Sequence, residues 1–198
     1  YLDIPLQHLD PDVLRRMNRP FRDVDTFNLV DRVRERIPDI VLRTSMIVGF
    51  PGETPQAFRR LCDGVRALRF DRLGVFEYSR EDDTAAASAP RQVGSRVRTQ
   101  RRNALLEIQA GISAELNRAR VGRTARVLVE EYDPARKRWI GRSVAEAPEV
   151  DGAVLLESAT PLVPGRFVDA AIIDADTYDL HARTGMRKPS VGVSRREG

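Results

Sequence analysis

The sequence predicts an α/β fold followed by a small all-β domain. Up to residue 120, three apolar strand patterns alternate with helical patterns, which is typical of parallel strands joined by crossover helices in a TIM-type barrel or an open α/β sheet. Beyond Val121-Gly122, short strand patterns are separated by Pro and Gly, as in a small antiparallel barrel or sandwich. We therefore expect three regions: residues 1–120, a β-domain over residues 121–183, and a disordered tail over residues 184–198.

Apolar spacing and breaker residues indicate the elements of the first region. Residues 1–8 alternate in the manner of a strand, and Asp10 before Pro11 predicts the N-cap of a helix that ends at Pro20. Further predicted helices span Phe27–Ile37, Phe58–Leu68 and Val97–Leu116, and further predicted strands span residues 40–50 and Leu73–Ser79. Three strands do not close a barrel, so we expect the remaining strands to precede Tyr1 in a larger protein.

In the second region, the pattern predicts four short strands. They span Thr124–Glu131, Trp139–Val144, Ala153–Glu157 and Phe167–Ile173. Their spacing favours a small closed or sandwiched β-domain.

The composition is that of a folded, soluble protein, with 41% hydrophobic and 31% charged residues. No apolar run approaches the roughly 18–20 residues that span a bilayer, so we expect a cytoplasmic protein without a membrane partner. Cys62 is the single cysteine, which excludes a zinc or iron–sulfur site built from several thiolates of this chain. Because Cys62 lies on the apolar face of a predicted helix, we expect it to belong to the core.

Arginine dominates the basic residues, since 33 basic residues include only two lysines. Two groups are candidates for a patch that faces a polyanion. They are Arg98, Arg101 and Arg102 in one segment, and Arg195 with Arg196 in the tail. The alternative is that these residues are solvated helix faces of an arginine-rich protein.

Side chains of one parity are polar in the first two strands. Since alternate side chains of a strand point to opposite faces, one face should carry Asp3, Gln7, Arg43 and Ser45. In a barrel covered by helices that face lines the lumen, which predicts a polar lumen. The alternative is an open sheet whose polar face meets water.

The carboxyl ends of the three strands should meet at one rim. These ends are Gln7-His8, Gly49–Thr54 and Tyr78–Arg80. Ligands of parallel α/β folds bind at such ends, and Gly49 and Gly52 permit a tight turn there. The rim is therefore the predicted ligand site.

Three ordered segments are the most specific signals in the sequence. They are Tyr1-Leu2-Asp3-Ile4-Pro5-Leu6-Gln7-His8, Val13-Leu14-Arg15-Arg16-Met17-Asn18-Arg19 and Ile47-Val48-Gly49-Phe50-Pro51-Gly52-Glu53-Thr54. Later segments extend the match almost to residue 180, namely Phe76-Glu77-Tyr78-Ser79, Gly141-Arg142-Ser143 and Ala147-Pro148-Glu149-Val150-Asp151-Gly152. In order and spacing they resemble the radical S-adenosylmethionine methylthiotransferases.

The resemblance implies a fold and a set of cofactors. Residues 1–120 would be the C-terminal half of a partial (β/α) TIM-type radical SAM barrel, and residues 121–183 a TRAM domain, a small OB-like β-barrel. The family uses S-adenosyl-L-methionine and two [4Fe–4S] clusters, whose cysteines would lie upstream of Tyr1. The reduced cluster cleaves S-adenosylmethionine, and the 5′-deoxyadenosyl radical abstracts a hydrogen from an unactivated carbon that then receives a methylthio group. An electron donor such as flavodoxin is implied as well.

The resemblance also assigns candidate site residues, all of them cofactor-binding. Ile47, Gly49 and Glu53 match the turn that flanks the adenine, and Phe76 and Tyr78 lie on the strand that approaches it. Strand parity and charge add three more candidates: Gln7 and Ser45 for the ribose hydroxyls and Arg43 for the carboxylate. For each of the three, the alternative is an ordinary polar side chain that lines the barrel. We expect no catalytic residue, no metal ligand and no activity from this chain alone.

The substrate distinguishes two branches of the family. Pro5-Leu6-Gln7-His8, where tRNA-modifying relatives typically have Gln-Ser-Gly, favours the branch that modifies the β-carbon of an aspartate in small-subunit ribosomal protein number twelve. The partner would be that protein or the ribosomal subunit, bound through the TRAM domain, with RNA contact also expected. The alternatives are a tRNA-modifying methylthiotransferase that acts on an adenosine derivative near the anticodon, and a non-catalytic RNA- or protein-binding module.

Departures from the family pattern concern a loop and a histidine. Ser79–Thr84 lacks the usual proline and glycine, and His181-Ala182 replaces Trp-Gly, so we expect His181 on the surface. His8 is predicted to make a turn or core contact, with a rim acid–base role as the alternative.

Overall fold

The computed structural model describes residues 1–19 and 26–185 and divides the chain into two compact units, Tyr1–Ala119 and a second unit that begins at Arg120. The first unit contains, in order, β1 (Leu2–Asp3), α1 (Pro11–Arg16), α2 (Thr26–Arg36), β2 (Leu42–Val48), α3 (Pro55–Leu68), β3 (Arg72–Glu77), α4 (Ala85–Ser88) and α5 (Ser95–Arg118). Within the described residues, every helix is too short or too polar to cross a membrane.

A three-stranded parallel sheet, in the order β1-β2-β3, organises the first unit. This confirms the predicted parallel α/β arrangement. The predicted first strand is too long, however, because only Leu2–Asp3 pairs continuously with β2. Pro5 has no N–H to donate, and the Thr44 side chain takes over the pairing by donating to Ile4 O (2.7 Å) and accepting from Leu6 N (3.3 Å).

The core of the first unit lies on one face of β2. The even-numbered residues of this strand are fully buried, whereas its odd-numbered residues are half-buried. The buried face packs against Leu61 and Val65 of α3 and Leu105 of α5, residues that recur at helical spacing in the sequence. Cys62 is buried in the same core, as predicted.

Local sequence determines where the helices begin. Asp10 caps α1 by accepting from the Asp12 and Val13 amides at 3.0 and 3.1 Å, and Thr54 caps α3 by accepting from Ala57 N at 3.1 Å. The end of α1 was predicted at Pro20, which lies outside the described residues, but the helix already ends at Arg16.

The second unit is a closed five-stranded barrel. Its strands are β4 (Thr124–Asp133), β5 (Arg138–Arg142), β6 (Val154–Glu157), β7 (Phe167–Ala175) and β8 (Leu180–Thr184). They follow the order β4-β5-β6-β8-β7 around the barrel, with β6 and β8 parallel and the other pairs antiparallel. Small and branched residues fill the interior, among them Val127, Leu156 and Ile172.

The barrel contains a fifth strand, β8, whereas only four strands were predicted for this region. Leu180 and Ala182 are buried inside the barrel, while His181 and Arg183 alternate with them and are partly exposed. The disordered tail was predicted to start at residue 184, but Thr184 belongs to this strand and pairs with Ala170. Residues 186–198 lie outside the described part of the chain.

Two neighbouring loops of the barrel, residues 143–152 and 176–179, are called the paired loops below. Ala153 N donates to Asp179 Oδ1 (2.8 Å), which ties the end of one loop to the other. Gly152 is the point of closest approach, because a Cβ added there would lie 2.1 Å from Tyr178 O. Backbone contact therefore leaves no room for a side chain at this position.

We expect Gly152→Ala to destabilise the barrel by about 1–3 kcal/mol, the usual cost of overpacking. Trp139 is the single tryptophan of the chain and lies on β5, so its fluorescence during urea unfolding reports on the barrel.

The matched control is Gly111→Ala on α5, where an added Cβ would meet nothing within 4 Å. This substitution should leave the Trp139 transition unchanged. An unchanged transition in Gly152→Ala would contradict the close approach of the paired loops.

Candidate functional site

The turn that joins β2 to α3, residues 49–54, forms one of the three parts of the predicted rim and is called the rim turn. Gly49 and Gly52 both adopt left-handed backbone conformations, with φ of 75° and 81°. A Cβ added to Gly49 would lie 2.2 Å from Cγ of Arg98, which reaches across from α5. Both conformation and space thus require glycine at position 49.

A buried carboxylate closes the rim turn from within. The side chain of Glu53 has no exposed surface. Its Oε2 atom accepts hydrogen bonds from Gly49 N and from Arg101 (2.8 Å), and its Oε1 atom lies 3.3 Å from His8 Nε2. Arg101 also donates to the Glu53 carbonyl at 3.1 Å, so one guanidinium holds both the side chain and the backbone of this residue.

His8 approaches Glu53 from the segment that follows β1. Its ring is completely buried, and its Nδ1 atom accepts a hydrogen bond from Asp10 N at 2.9 Å. An accepting nitrogen carries no proton, so the ring is the neutral tautomer with its proton on Nε2. His8 therefore donates to Glu53. This confirms the predicted turn or core contact of His8 and leaves no ring atom facing the rim as an acid or base.

Two further contacts hold the outer side of the rim turn. Arg16 of α1 donates to Gly52 O at 2.8 Å, and Gly52 N donates to Arg91 O at 2.9 Å. The turn is thereby fixed from α1, from the segment before α5 and from α5 itself.

The less buried face of the sheet presents polar and aromatic groups beside the rim turn. The register places Ser45 opposite Gly74 and Ile47 opposite Phe76. Phe76 is 56% exposed, and its ring lies back over Gly74, 3.2 Å from where a Cβ on that residue would be. An exposed flat ring next to a serine hydroxyl and an isoleucine suits a nucleoside, which needs both stacking and polar contacts.

Tyr78 stands where β3 reaches the rim. Its ring packs edge-on against Phe50 with the centroids 5.2 Å apart, and the residue is only 9% exposed. Its buried hydroxyl has no hydrogen-bond partner among the described residues. A buried hydroxyl without a partner is unusual in a folded protein and is consistent with a ligand at this end of the sheet.

The structure brings some of the predicted site residues together and separates others. Ile47, Gly49, Phe76 and Tyr78 cluster at the rim, and Gln7 reaches them through its backbone, donating to Ser45 O at 2.8 Å and accepting from Ile47 N at 2.8 Å. The φ of Gln7 is 70°, and the residue pairs with Met46, one position off the register of β1.

Arg43 lies at the opposite end of the strand. Gly49 lies six positions further along the chain, which corresponds to about 20 Å along β2. Its guanidinium is paired with the Asp3 carboxylate.

The prediction that Arg101 belongs to an exposed patch facing a polyanion is wrong. This residue is only 7% exposed and holds Glu53, and Arg98 is half-buried against Gly49. Arg101 lies one helical turn before the core residue Leu105, and that spacing was the signal in the sequence that it faces inward. Arg195 and Arg196 lie outside the described residues.

Comparison with known proteins now decides the family. Residues 121–184 match the TRAM domain family. The chain is 47% identical over 186 residues to the ribosomal protein uS12 methylthiotransferase RimO of Parasynechococcus marenigrum, which covers 92% of this chain and 40% of the relative. The similarity to this methylthiotransferase family thus extends over nine tenths of the chain.

Relatives with the same name occur in other bacteria. The protein of Prochlorococcus marinus is 48% identical over 183 residues, covering 91% of this chain and 39% of the relative. The protein of Desulfitobacterium hafniense is 47% identical over 180 residues, covering 91% and 40%. The chain thus spans about two fifths of the length of these relatives. The predicted family and the predicted TRAM domain are both confirmed.

The residues of this chain do not fit an iron–sulfur cluster. Such a cluster needs several thiolates, and the single cysteine, Cys62, is buried in the core, where burial raises the pKa of its thiol. Among the described residues, no group of three or more His, Cys, Asp or Glu side chains could hold a metal ion.

Asp10 links the cap of α1 to the site through His8. Burial favours its protonated form, but the Val13 amide, the Arg60 guanidinium and the Asp12 amide outweigh burial and hold the pKa of this carboxyl below its usual value of 3.8. The folded chain therefore binds this proton less readily than the unfolded chain, and ionised Asp10 stabilises the fold at neutral pH.

We expect Asp10→Asn to lower the free energy of unfolding at pH 7, and this difference from the wild type should shrink as the pH falls below about 4. Because Asn remains a good N-cap, the difference in unfolding free energy between Asp10→Asn and the wild type reports on the charge alone. Asp10→Ala also removes the cap and should lower the free energy of unfolding by about 1 kcal/mol more. Urea titrations followed by far-ultraviolet circular dichroism measure both.

Asp63→Asn is the control, because Asp63 forms only an exposed pair with Arg66 and should show a negligible difference at any pH. A difference for Asp10→Asn that stays constant from pH 7 to pH 3 would refute the assignment.

Proposed function

We propose that this protein is a methylthiotransferase that modifies an aspartate of small-subunit ribosomal protein uS12, using S-adenosylmethionine and iron–sulfur clusters. The observation that carries the proposal is the extent of the similarity. At 47% identity over 92% of the chain, it includes both the sheet with its rim and the barrel. A shared TRAM domain alone would not specify the reaction, because that match covers residues 121–184 only.

The rim and the neighbouring sheet face would hold the nucleoside part of S-adenosylmethionine. Ile47 and Phe76 offer apolar surface for the adenine, and Ser45 and Tyr78 offer hydroxyls. The buried, unpartnered hydroxyl of Tyr78 supports this fit. Gln7 lies beside Ser45 and is the second candidate for the ribose. Arg43 fits the carboxylate poorly, because it is already paired with Asp3 at the other end of the strand.

The chemistry supplied there by S-adenosylmethionine, once an electron from a cluster held by other residues is available, is hydrogen abstraction from an unactivated carbon. The task of this chain is to bind and orient the nucleoside and to exclude water. Such positioning accounts for a large share of catalysis when the cofactor carries the reactivity. Because its residues do not fit a cluster, we propose that residues 1–198 alone are inactive.

The charge of the barrel favours a protein partner over RNA. Residues 121–184 contain eight basic and eleven acidic residues, a formal charge of −3, although the whole chain carries +4. A domain that binds nucleic acid through phosphates needs a basic surface. An acidic barrel instead complements a basic protein, and ribosomal proteins, which themselves bind RNA, are typically of that kind.

The paired loops are the proposed contact with that protein. Val144 is 86% exposed, and Val150 and Tyr178 are each more than half exposed. Acidic Glu149 belongs to the same loops and is exposed. Apolar side chains next to carboxylates suit a basic segment that also buries aliphatic surface.

Two side-chain contacts on the barrel favour the tRNA-modifying alternative. Phe167 is 56% exposed with the Arg126 guanidinium over its ring at 4.7 Å, and Tyr132 packs against Trp139 with the ring centroids 5.1 Å apart. Exposed aromatic and arginine side chains on a barrel can stack with bases. The net negative charge of the domain opposes this reading.

The activity is tested with the full-length gene product that contains this chain, reconstituted anaerobically with iron and sulfide. We expect uS12 to gain one methylthio group in place of a hydrogen on an aspartate, detected by mass spectrometry. Residues 1–198 alone should yield no 5′-deoxyadenosine. Modification of tRNA instead of uS12 would establish the alternative.

Docking is tested with two exposed valines of the barrel. Val144→Lys places a positive charge on the paired loops and should weaken binding to purified uS12 by about tenfold, which corresponds to about 1.4 kcal/mol. Val163→Lys is the matched control, since Val163 is 62% exposed but lies outside these loops. Tight, steeply salt-dependent binding of tRNA by both variants would contradict the proposed partner.

A further inference from the structure

We propose that Glu53, His8 and Arg101 are positioning residues that set the shape of the rim turn, and that none of the three contacts the ligand. This inference rests on the proposed function, because it concerns how the nucleoside site is built. It also reassigns Glu53, which the family resemblance placed beside the adenine. His8 and Arg101 were not among the predicted cofactor-binding residues.

Both oxygens of the Glu53 carboxylate form hydrogen bonds within the protein. The carboxylate accepts from Gly49 N, from Arg101 and from His8, and the side chain has no exposed surface. His8 is likewise completely buried. A ligand at the rim would meet neither side chain, so any effect of these residues on binding has to pass through the turn.

Gly49 N is the point at which the carboxylate acts on the turn. Gly49 follows Ile47 and Val48 directly and has a left-handed backbone, so its conformation sets the direction in which the chain leaves β2. Phe50 comes next and packs edge-on against Tyr78. Fixing the Gly49 amide therefore fixes both the end of the strand that carries Ile47 and the packing partner of Tyr78.

Arg101 and His8 hold the carboxylate in this orientation from two distant parts of the chain. The Arg101 guanidinium packs over the Phe58 ring at 5.4 Å, and His8 accepts a hydrogen bond from the Asp10 amide. A buried carboxylate is costly unless hydrogen-bond donors surround it, and these contacts supply the donors for Glu53. The shape of the rim turn therefore depends on the docking of α5 and on the segment that follows β1.

The direct test measures the Gly49 amide in the chain labelled with [¹⁵N]glycine. In Glu53→Gln, an NH₂ group replaces one of the two accepting oxygens and faces hydrogen-bond donors. The exchange rate of the Gly49 amide hydrogen should therefore rise by about tenfold or more, and its chemical shift should change. Arg101→Met should have the same effect, and Arg101→Lys should restore part of the protection. His8→Gln keeps a donor and an acceptor and should stay close to the wild type.

Two controls separate positioning from loss of stability. Arg102→Met removes the neighbouring arginine, which is hydrogen-bonded to Asn103 and not to the rim turn. Leu105→Val removes a methylene from the core one helical turn further along α5. Neither control should change the hydrogen exchange or the chemical shift of the Gly49 amide, even if it lowers the melting temperature as much as Glu53→Gln does. If Arg101→Met does not fold, Glu53→Gln and His8→Gln still provide the comparison.

The functional consequence is measured by titrating S-adenosylhomocysteine into the full-length gene product. We expect Glu53→Gln to raise the dissociation constant by about tenfold, and Leu105→Val to leave it unchanged. An unchanged Gly49 amide in Glu53→Gln, or an altered amide with unchanged affinity, would overturn the positioning role. If the wild-type protein does not bind the probe although the amide responds as expected, the proposed function fails and the structural role of the three residues stands.

Discussion

A buried carboxylate needs hydrogen-bond donors around it, and the rim turn of this protein depends on one such group, that of Glu53. Glu53 receives hydrogen bonds from a backbone amide, an arginine and a histidine, contributed by three separate segments of the first unit. Removing one partner of a buried charge typically costs 3–5 kcal/mol, far more than a surface pair contributes. The same contacts that satisfy the charge therefore make the turn rigid. This rigidity suits the proposed nucleoside site, whose task would be to position its ligand.

How much of this structure the sequence could predict depends on the range of the interactions. The buried parity of β2, the stripe on α3 and the cap at Asp10 are local and were predicted. The pairing around Pro5 was not predicted, because the Thr44 side chain takes the place of a backbone hydrogen-bond partner there. Likewise, Arg101 was assigned to a surface patch because its partner Glu53 is 48 residues away. The family motif located the rim turn, but the motif alone does not reveal that the Glu53 side chain is buried and bonded to Gly49 N.

The two units differ in how charge is used. In the first unit, arginines such as Arg16 and Arg101 turn inward and hold backbone carbonyls and a carboxylate, so an excess of positive residues does not imply a nucleic-acid surface. In the barrel, acidic residues outnumber basic ones, and the Glu157 carboxylate joins Arg138 and Arg183 across neighbouring strands. A chain with a formal charge of +4 thus contains a barrel with a formal charge of −3.

The parallel pairing of β6 with β8 has a consequence for how the barrel forms. The last strand, Leu180–Thr184, inserts between β6 and β7, so both of those edges stay open until this segment arrives. The three described strands of the parallel sheet end at Glu77, so they leave the ribosome well before residue 180, whereas the barrel cannot close until the last strand has emerged. Unpaired strand edges invite association with other chains. The interval between the emergence of Ala175 and that of Thr184 is therefore the stage of biogenesis at which the barrel is most exposed to mispairing.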